Sequence, residues 1–320
     1  DGVEMSELKL IAGTADAGAS NQGQRLSVFL WDLGGQDEYL ATHPFFIDDS
    51  AIFALVVSLE LFERSNHSNV AASVRFLRTV VARAPNASIA LIGTHADSVA
   101  QPTEAIKQLH LQLEAVCPGA LTASLVFAIS SRDGAGVDEL RAQLAAHALS
   151  LDHVRETVPA PYIKLHEQLN ERAAASPHLP LDDVVALATS QACRVPVAGE
   201  PDATIPDEAS TVRALAKLSS WGAVHYRNSP ALRGTVVLRP QWLADAMACV
   251  IGPKNPAGAG TDAIVRMRTE RRCQLMANGR LEHAQIEQLW CAATIAGFDE
   301  ANAALCPYLL ATMHAFELAY

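Results

Sequence analysis

Short apolar runs alternate with helical patterns through the first half of the chain, and this alternation constrains the fold most strongly. The runs cover residues 25–32, 51–59, 88–93 and 124–130. Near-continuous apolar runs of this length are typical of parallel strands that are covered on both faces. Between them, apolar residues recur every three or four positions, as on the buried side of a helix. The pattern predicts an α/β domain with a doubly wound, mostly parallel sheet, which binds ligands at the carboxyl ends of its strands.

The composition and the pattern of the sequence change near residue 150. The segment 150–161 carries two prolines, and the residues after it are richer in helical patterns. Two helical patterns are followed by a pair of short strand patterns, the order found in winged-helix domains. We therefore predict one domain over residues 1–150 and a second, mainly helical and winged-helix-like, over residues 151–320.

A winged-helix DNA-binding domain is the main alternative for the second half. Its candidate recognition helix, residues 211–219, offers only Arg213 and Lys217 as basic side chains. Acidic residues outnumber basic ones between residues 151 and 250. This is a poor footprint for phosphate contacts, so a packing role is favoured over DNA binding.

Composition limits the partners and the compartment. The chain of 320 residues has 24 basic and 35 acidic residues and a net charge of -11, which argues against a protein that wraps nucleic acid or coats an anionic membrane. Its six cysteines lie far apart without a C-x-x-C pair, a pattern that favours free thiols in a reducing compartment. No apolar run approaches the roughly 20 residues of a membrane-spanning helix. We predict a cytoplasmic protein with no nucleic-acid partner and no transmembrane segment.

The first apolar run leads into Asp32-Leu33-Gly34-Gly35-Gln36. An acid at a strand end can hold the water shell of Mg²⁺, and a glycine three residues later lets a backbone N–H approach a terminal phosphate. A glutamine directly after that glycine can orient an attacking water. The pattern D-x-x-G alone is equally a simple turn, but the following acidic residues make it more specific. We predict Asp32 as a metal ligand, Gly35 as a phosphate contact and Gln36 as catalytic.

The third apolar run, residues 88–93, ends in Thr94-His95-Ala96-Asp97. A carboxylate at Asp97 can accept hydrogen bonds from both N1–H and the exocyclic amine of guanine, a pair of donors that adenine does not offer. The alternative is that Asp97 caps the helix that follows.

The fourth run leads into Ser130-Ser131-Arg132, followed by a loop that contains Gly136. Backbone N–H groups of this loop can bind the carbonyl oxygen of guanine. The alternative is a simple strand-to-helix turn in which Gly136 supplies a positive φ.

The order and spacing of these three motifs resemble those of a Ras-like GTP-binding domain. Residues 32–36 look like the third G-protein motif, residues 94–97 like the fourth and residues 130–132 like the fifth. The fourth motif usually reads N-K-x-D, and the Thr-His-x-Asp found here is similar to the Roc domains of Roco proteins. The resemblance implies GTP or GDP and Mg²⁺ as ligands, with His95 packing across the nucleotide in place of the lysine.

The second half extends the resemblance to Roco proteins. Residues 237–245, Val-Leu-Arg-Pro-Gln-Trp-Leu-Ala-Asp, resemble the L-x-P-x-W-L segment of COR domains, which follow Roc. Segments 221–226, 279–290 and 306–320 are similar in order and spacing. The resemblance implies a Roc domain followed by the N-terminal part of COR, with protein partners. In the family the end of COR mediates dimerisation, so a homodimer is expected to need that end.

The sequence contains no phosphate-binding motif of the type G-x-x-x-x-G-K-S/T. We therefore expect an N-terminally truncated Roc domain, a fragment that is inactive by itself and belongs to a larger protein in which a kinase domain can flank it. Two functions remain open. The first is a guanine-nucleotide-binding regulatory module, a GTPase switch of a Roco-type signalling protein. The second is a nucleotide-free interaction scaffold with a degenerate GTPase fold.

Overall fold

A computed structural model describes residues 3–12, 24–33, 47–65, 70–197, 201–251, 282–291 and 305–315. The chain forms two compact units. The first, here called the α/β unit, takes the described residues of Glu7–Val28 and Ile47–Thr157. The second, the helical unit, takes the described residues of Asp1–Ser6, Phe29–Phe46 and Val158–Tyr320.

The α/β unit is built on a parallel sheet in the strand order β3-β4-β5. Strands β1 and β2 precede it in the chain and pair with each other in a separate two-stranded sheet. The strands of the two sheets are β1 (Val3–Ala12), β2 (Gln24–Leu33), β3 (Ile52–Ser58), β4 (Ser88–Thr94) and β5 (Val126–Ala128). The four predicted apolar runs thus become β2 to β5, and the last is shorter than its run.

Helices cover both faces of the parallel sheet, as the sequence predicts. They are α1 (Leu59–Arg64), α2 (Ala71–Arg83), α3 (Pro102–Val116) and α4 (Val137–Ser150). The central strand β4 is buried on both sides, with Ile89 and Leu91 in one core cluster and Ala90 and Ile92 in another. The first cluster contains α2 and α3, whereas α4 packs on the second. An α/β fold with a doubly wound arrangement is confirmed.

The helical unit contains most of the remaining helices and one small sheet. Its helices are α6 (Ala160–Ala173), α7 (Leu181–Ala188), α8 (Glu208–Ser220), α9 (Pro240–Ile251), α10 (His283–Cys291) and α11 (Cys306–Ala315), and the short α5 (Asp152–Arg155) precedes them in the α/β unit. One core cluster joins α6, α7 and α8, and another joins α9, α10 and α11. Inside the second cluster the indole N–H of Trp290 donates to the carbonyl of Ala246 at 2.8 Å.

The predicted hairpin in this unit is only partly observed. Strand β7 (Thr235–Val237) pairs antiparallel with β6 (His178–Pro180), a strand that no pattern in the sequence predicts. The sequence predicts a hairpin of residues 223–226 with residues 235–238, and the structure shows only a single bridge between His225 and Val237. The apolar spacing over residues 181–192 predicts a single helix, but the observed helix ends at Ala188, because Ser190 turns the chain by accepting a hydrogen bond from the N–H of Ala192. Among the described residues no helix is long and apolar enough to cross a membrane.

Candidate functional site

Two predicted motifs meet at the carboxyl edge of the parallel sheet. Strand β4 ends at Thr94 and β5 at Ala128, and parallel strands present their carboxyl ends on the same edge. The N–H of Ile129 donates to the carbonyl of Gly93 at 2.7 Å, and the N–H of Ala96 donates to Ile129 at 3.1 Å. These backbone bonds join two loops, residues 94–97 (the 94–97 loop) and residues 130–136 (the 130–136 loop).

The 94–97 loop turns sharply at His95. This residue has a φ of 59°, and it is the one residue other than glycine with a positive φ in the described part of the chain. Its ring Nδ1 lies 3.1 Å from the hydroxyl of Thr94. The carbonyl of His95 accepts a bond from Ser98 at 3.0 Å, which closes a single 3₁₀ turn over Ala96–Ser98. A left-handed residue costs about 1 kcal/mol or more unless it is glycine, so packing at the sheet edge must hold the turn in place.

Asp97 lies inside this turn and does not cap the next helix. Helix α3 begins at Pro102 with Gln101 as its N-cap, which makes no side-chain capping bond. The capping alternative for Asp97 is therefore not observed for α3. Its side chain is 17% exposed, although the residue as a whole is exposed. The turn therefore leaves Asp97 open to solvent, and a carboxylate at the sheet edge is suited to accepting hydrogen bonds from a bound ligand.

Arg132 of the 130–136 loop reaches towards Asp97. Its Nη1 lies 3.8 Å from Oδ2 of Asp97, and 86% of the arginine side chain is exposed. Such a pair contributes at most about 1 kcal/mol, because water screens the guanidinium and the side chain loses conformational freedom. A bound ligand can therefore displace Arg132 from Asp97 at low cost. The sequence placed Arg132 in this loop but did not predict its pairing, since no spacing rule links the two positions.

The hydroxyl of Ser130 organises the 130–136 loop from inside. Ser130 is fully buried, and its Oγ accepts bonds from the N–H groups of Arg132 at 3.3 Å and Asp133 at 3.4 Å. The N–H of Ser130 itself donates to the carbonyl of Ala135 at 3.0 Å. Bonds from Ser130 and from the N–H of Ala135 hold the pKa of Asp133 below its usual value. Two of the three predicted backbone donors, those of Ser130 and Arg132, thus already serve the loop, and the exposed Ser131 is the best placed to meet a ligand.

Gly136 closes this loop and starts α4. Its φ is 76°, and a Cβ built there would lie 2.6 Å from the carbonyl oxygen of Ala128. The positive φ expected from the simple-turn alternative is therefore present. It is compatible with ligand binding by the same loop, because the turn fixes where residues 130–132 lie.

Alanine at Gly136 is expected to lower the free energy of unfolding by about 2 kcal/mol or more. The change adds left-handed strain of roughly 1–2 kcal/mol to a collision with backbone. Gly134 is a matched control, because its φ is 80° and nothing lies within 4 Å of a Cβ built there. Gly134→Ala should lower the free energy of unfolding only by the left-handed strain. Urea unfolding of both variants measures the two free energies, and equal losses of stability would contradict a collision at Gly136.

Asp32 lies near the end of β2 in the helical unit, with an exposed side chain. Among the described residues no group of three or more His, Cys, Asp or Glu side chains is placed to hold a metal ion. A single carboxylate fits Mg²⁺, which keeps several waters and takes few protein ligands. Gly35 and Gln36, the predicted phosphate contact and catalytic residue, lie outside the described residues.

Comparisons with known proteins agree with the resemblance. The family described as "Ras of Complex, Roc, domain of DAPkinase" matches residues 2–97, and "C-terminal of Roc, COR-A domain" matches residues 159–320. The Roc match ends at Asp97, so the assignment of residues 130–132 rests on the fold and its loops.

Individual relatives point the same way. The probable serine/threonine-protein kinase pats1 of Dictyostelium discoideum is 23% identical over 93% of the chain, and malignant fibrous histiocytoma-amplified sequence 1 of Homo sapiens is 37% identical over 28% of it. The chain spans only 8% of the length of either relative. The solved structure of Methanosarcina barkeri Roco2 RocCORdC bound to GDP aligns with a TM-score of 0.68 at 15% identity, and the alignment covers 100% of this chain and 81% of that one. The chain belongs to the Roc–COR family of Roco proteins.

Proposed function

We propose that the chain is the guanine-nucleotide-binding regulatory module of a Roco-type signalling protein, with Roc over residues 1–150 and the N-terminal part of COR over residues 151–320. The observation that carries the proposal is the tied pair of loops at the sheet edge. They hold the carboxylate of Asp97 and the exposed residue Ser131 at the same edge of the sheet. The GDP bound to the structural neighbour from Methanosarcina barkeri supports the same ligand class.

The base is recognised by the 94–97 and 130–136 loops. Asp97 accepts hydrogen bonds from N1–H and the amine of guanine, and the N–H of Ser131 donates to the guanine carbonyl. The left-handed turn at His95 places its imidazole beside the hydroxyl of Thr94, where the ring can pack on the base. Arg132 swings away from Asp97 when the base enters.

The phosphates of the nucleotide and Mg²⁺ are bound by Asp32, at the end of β2, and by the motif that follows it. Asp32 holds the water shell of Mg²⁺, the backbone of Gly35 contacts the terminal phosphate and Gln36 orients the attacking water. Mg²⁺, when bound, neutralises charge that develops on the phosphate oxygens. In this scheme bound GTP orders the segment that contains Gly35 and Gln36, and hydrolysis of GTP releases it. GTPase switches work in this way.

The 320 residues hold no G-x-x-x-x-G-K-S/T motif, and that motif supplies most contacts to the β- and γ-phosphates. We therefore expect the chain by itself to bind a fluorescent GTP analogue in Mg²⁺ more weakly than about 1 μM, because base contacts alone leave the phosphates unheld. The comparison is the extended protein, meaning this chain joined to such a phosphate-binding loop and to the end of COR. Tight binding by the extended protein alone supports the proposal. Tight binding by the chain itself would contradict the expected need for that loop.

The second candidate function is a nucleotide-free interaction scaffold. The departure from N-K-x-D at residues 94–97 and the missing phosphate-binding motif favour it. Failure of the extended protein to bind GTP would select this alternative. Both candidates carry the same proposals of a cytoplasmic location, protein partners and a homodimer formed through the end of COR.

A further inference from the structure

The end of strand β2 has two unlike faces. Phe29 and Trp31 are partly buried, whereas Leu30 is 50% exposed and Asp32 is also exposed. Side chains alternate between the two faces of a strand, so one face carries two aromatic rings and the other carries the carboxylate. The position of the carboxylate therefore depends on what holds the aromatic rings.

Both rings contact residues from the second half of the chain. The ring of Phe29 meets the imidazole of His166, on α6, edge to face, with centroids 6.3 Å apart and planes at 80°. The indole of Trp31 lies over Gly222, where a built Cβ would be 3.1 Å from Nε1 and 3.7 Å from Cε2. All four residues belong to the helical unit. We call the surface formed by His166 and Gly222 the aromatic seat.

Gly222 has two reasons to be glycine. It ends α8 in a Schellman motif, with its own N–H donating to Ser219 at 2.9 Å and that of Ala223 donating to Leu218 at 3.1 Å. This motif requires the observed φ of 72°, which any other residue adopts with strain. The missing side chain also leaves room for the indole. A methyl group here would press on the ring at a distance tighter than ordinary van der Waals contact.

We propose that the aromatic seat positions the end of β2, and that Trp31 is a positioning residue for Asp32. Asp32 itself faces away from the seat, so Trp31 acts through the backbone that the two residues share. A change in the aromatic seat should therefore disturb Asp32 and, through it, the Mg²⁺ that Asp32 is proposed to hold. The consequence for GTP hydrolysis rests on the proposed function. The docking of the strand end on the aromatic seat does not, because it follows from the contacts of Phe29 and Trp31 alone.

Backbone hydrogen exchange of residues 28–33 in the 320-residue chain tests the docking. Gly222→Ala is expected to speed this exchange about tenfold or more, because the strand end loses its support. Gly119→Ala is the matched control, since Gly119 has the same φ of 72° and nothing within 4 Å of a built Cβ. It should leave residues 28–33 unchanged. Equal exchange in the two variants would overturn the proposal.

A double-mutant cycle separates the seat from general destabilisation. Trp31→Ala should speed exchange of residues 28–33 as Gly222→Ala does, and the double variant should add little, because both remove the same contact. Trp31→Phe keeps an aromatic ring and should restore part of the protection of residues 28–33 from exchange. If Gly222→Ala does not fold, the comparison of Trp31→Phe with Trp31→Ala tests the proposal instead. Additive effects, or no rescue by phenylalanine, would overturn the assignment. These exchange rates do not depend on nucleotide binding. The proposed docking of β2 and the proposed GTP-binding function can therefore be contradicted independently.

Discussion

Replacing Asp97 with asparagine in the extended protein is expected to shift its base preference from GTP towards xanthosine triphosphate by at least about a hundredfold. Aspartate accepts two hydrogen bonds from guanine, whereas asparagine offers one acceptor and places a donor against the guanine amine. Hydrogen bonds to charged groups contribute about 1.5–3 kcal/mol each, and a misplaced buried donor adds a desolvation cost. Xanthine carries a carbonyl in place of the amine and so accepts from the new donor.

Loss of the Asp97–Arg132 pair cannot produce an effect of this size. With the arginine 86% exposed, the pair is worth at most about 1 kcal/mol, and its loss affects both nucleotides alike. Glu139→Gln is a suitable control, because it removes an exposed carboxylate from the first turn of α4. Competition between GTP and xanthosine triphosphate measures the ratio for each variant. A ratio for Asp97→Asn equal to that of Glu139→Gln would remove Asp97 from the base site.

Strand β4 was predictable because it is buried on both faces, and a continuous apolar run is typical of such a strand. The run over residues 51–59 likewise became β3 with nearly the predicted bounds, although Ala54 and Val56 on one of its faces are exposed. Strand β6 was not predictable. It is three residues long, it ends in Pro180, and its partner β7 lies far along the chain, so no local pattern marks it.

For the candidate site, the sequence identified residue types and positions but not their geometry. Residues 94–97 and 130–132 were predicted to share one edge, and backbone bonds at Ile129 and Ala96 join their loops there. The left-handed turn at His95 and the inward hydroxyl of Ser130 depend on packing around the sheet edge. The contact of Trp31 with Gly222 joins residues far apart in the chain. Such features follow from tertiary structure, and no spacing rule reports them.

Replacing Gln36 with leucine in the extended protein is expected to slow single-turnover GTP hydrolysis by at least about tenfold while GTP affinity holds. Leucine keeps the volume of the side chain but removes the donor and the acceptor that fix the attacking water. An interaction made only in the transition state lowers the rate of the chemical step and leaves ground-state binding intact. Gln108→Leu makes the same change at an exposed position on α3 and should alter neither quantity.

Asp32→Ala should instead change GTP affinity. Removing the carboxylate proposed to hold the water shell of Mg²⁺ weakens Mg²⁺-dependent GTP binding itself, so affinity should fall and should respond less to added Mg²⁺. Affinity and single-turnover rate, measured across a Mg²⁺ titration, therefore separate a residue that holds the metal from one that positions water. A Gln36→Leu variant that hydrolyses GTP at the parent rate would end its catalytic assignment. The assignment of Asp97 to the base would remain, because it depends on the 94–97 and 130–136 loops.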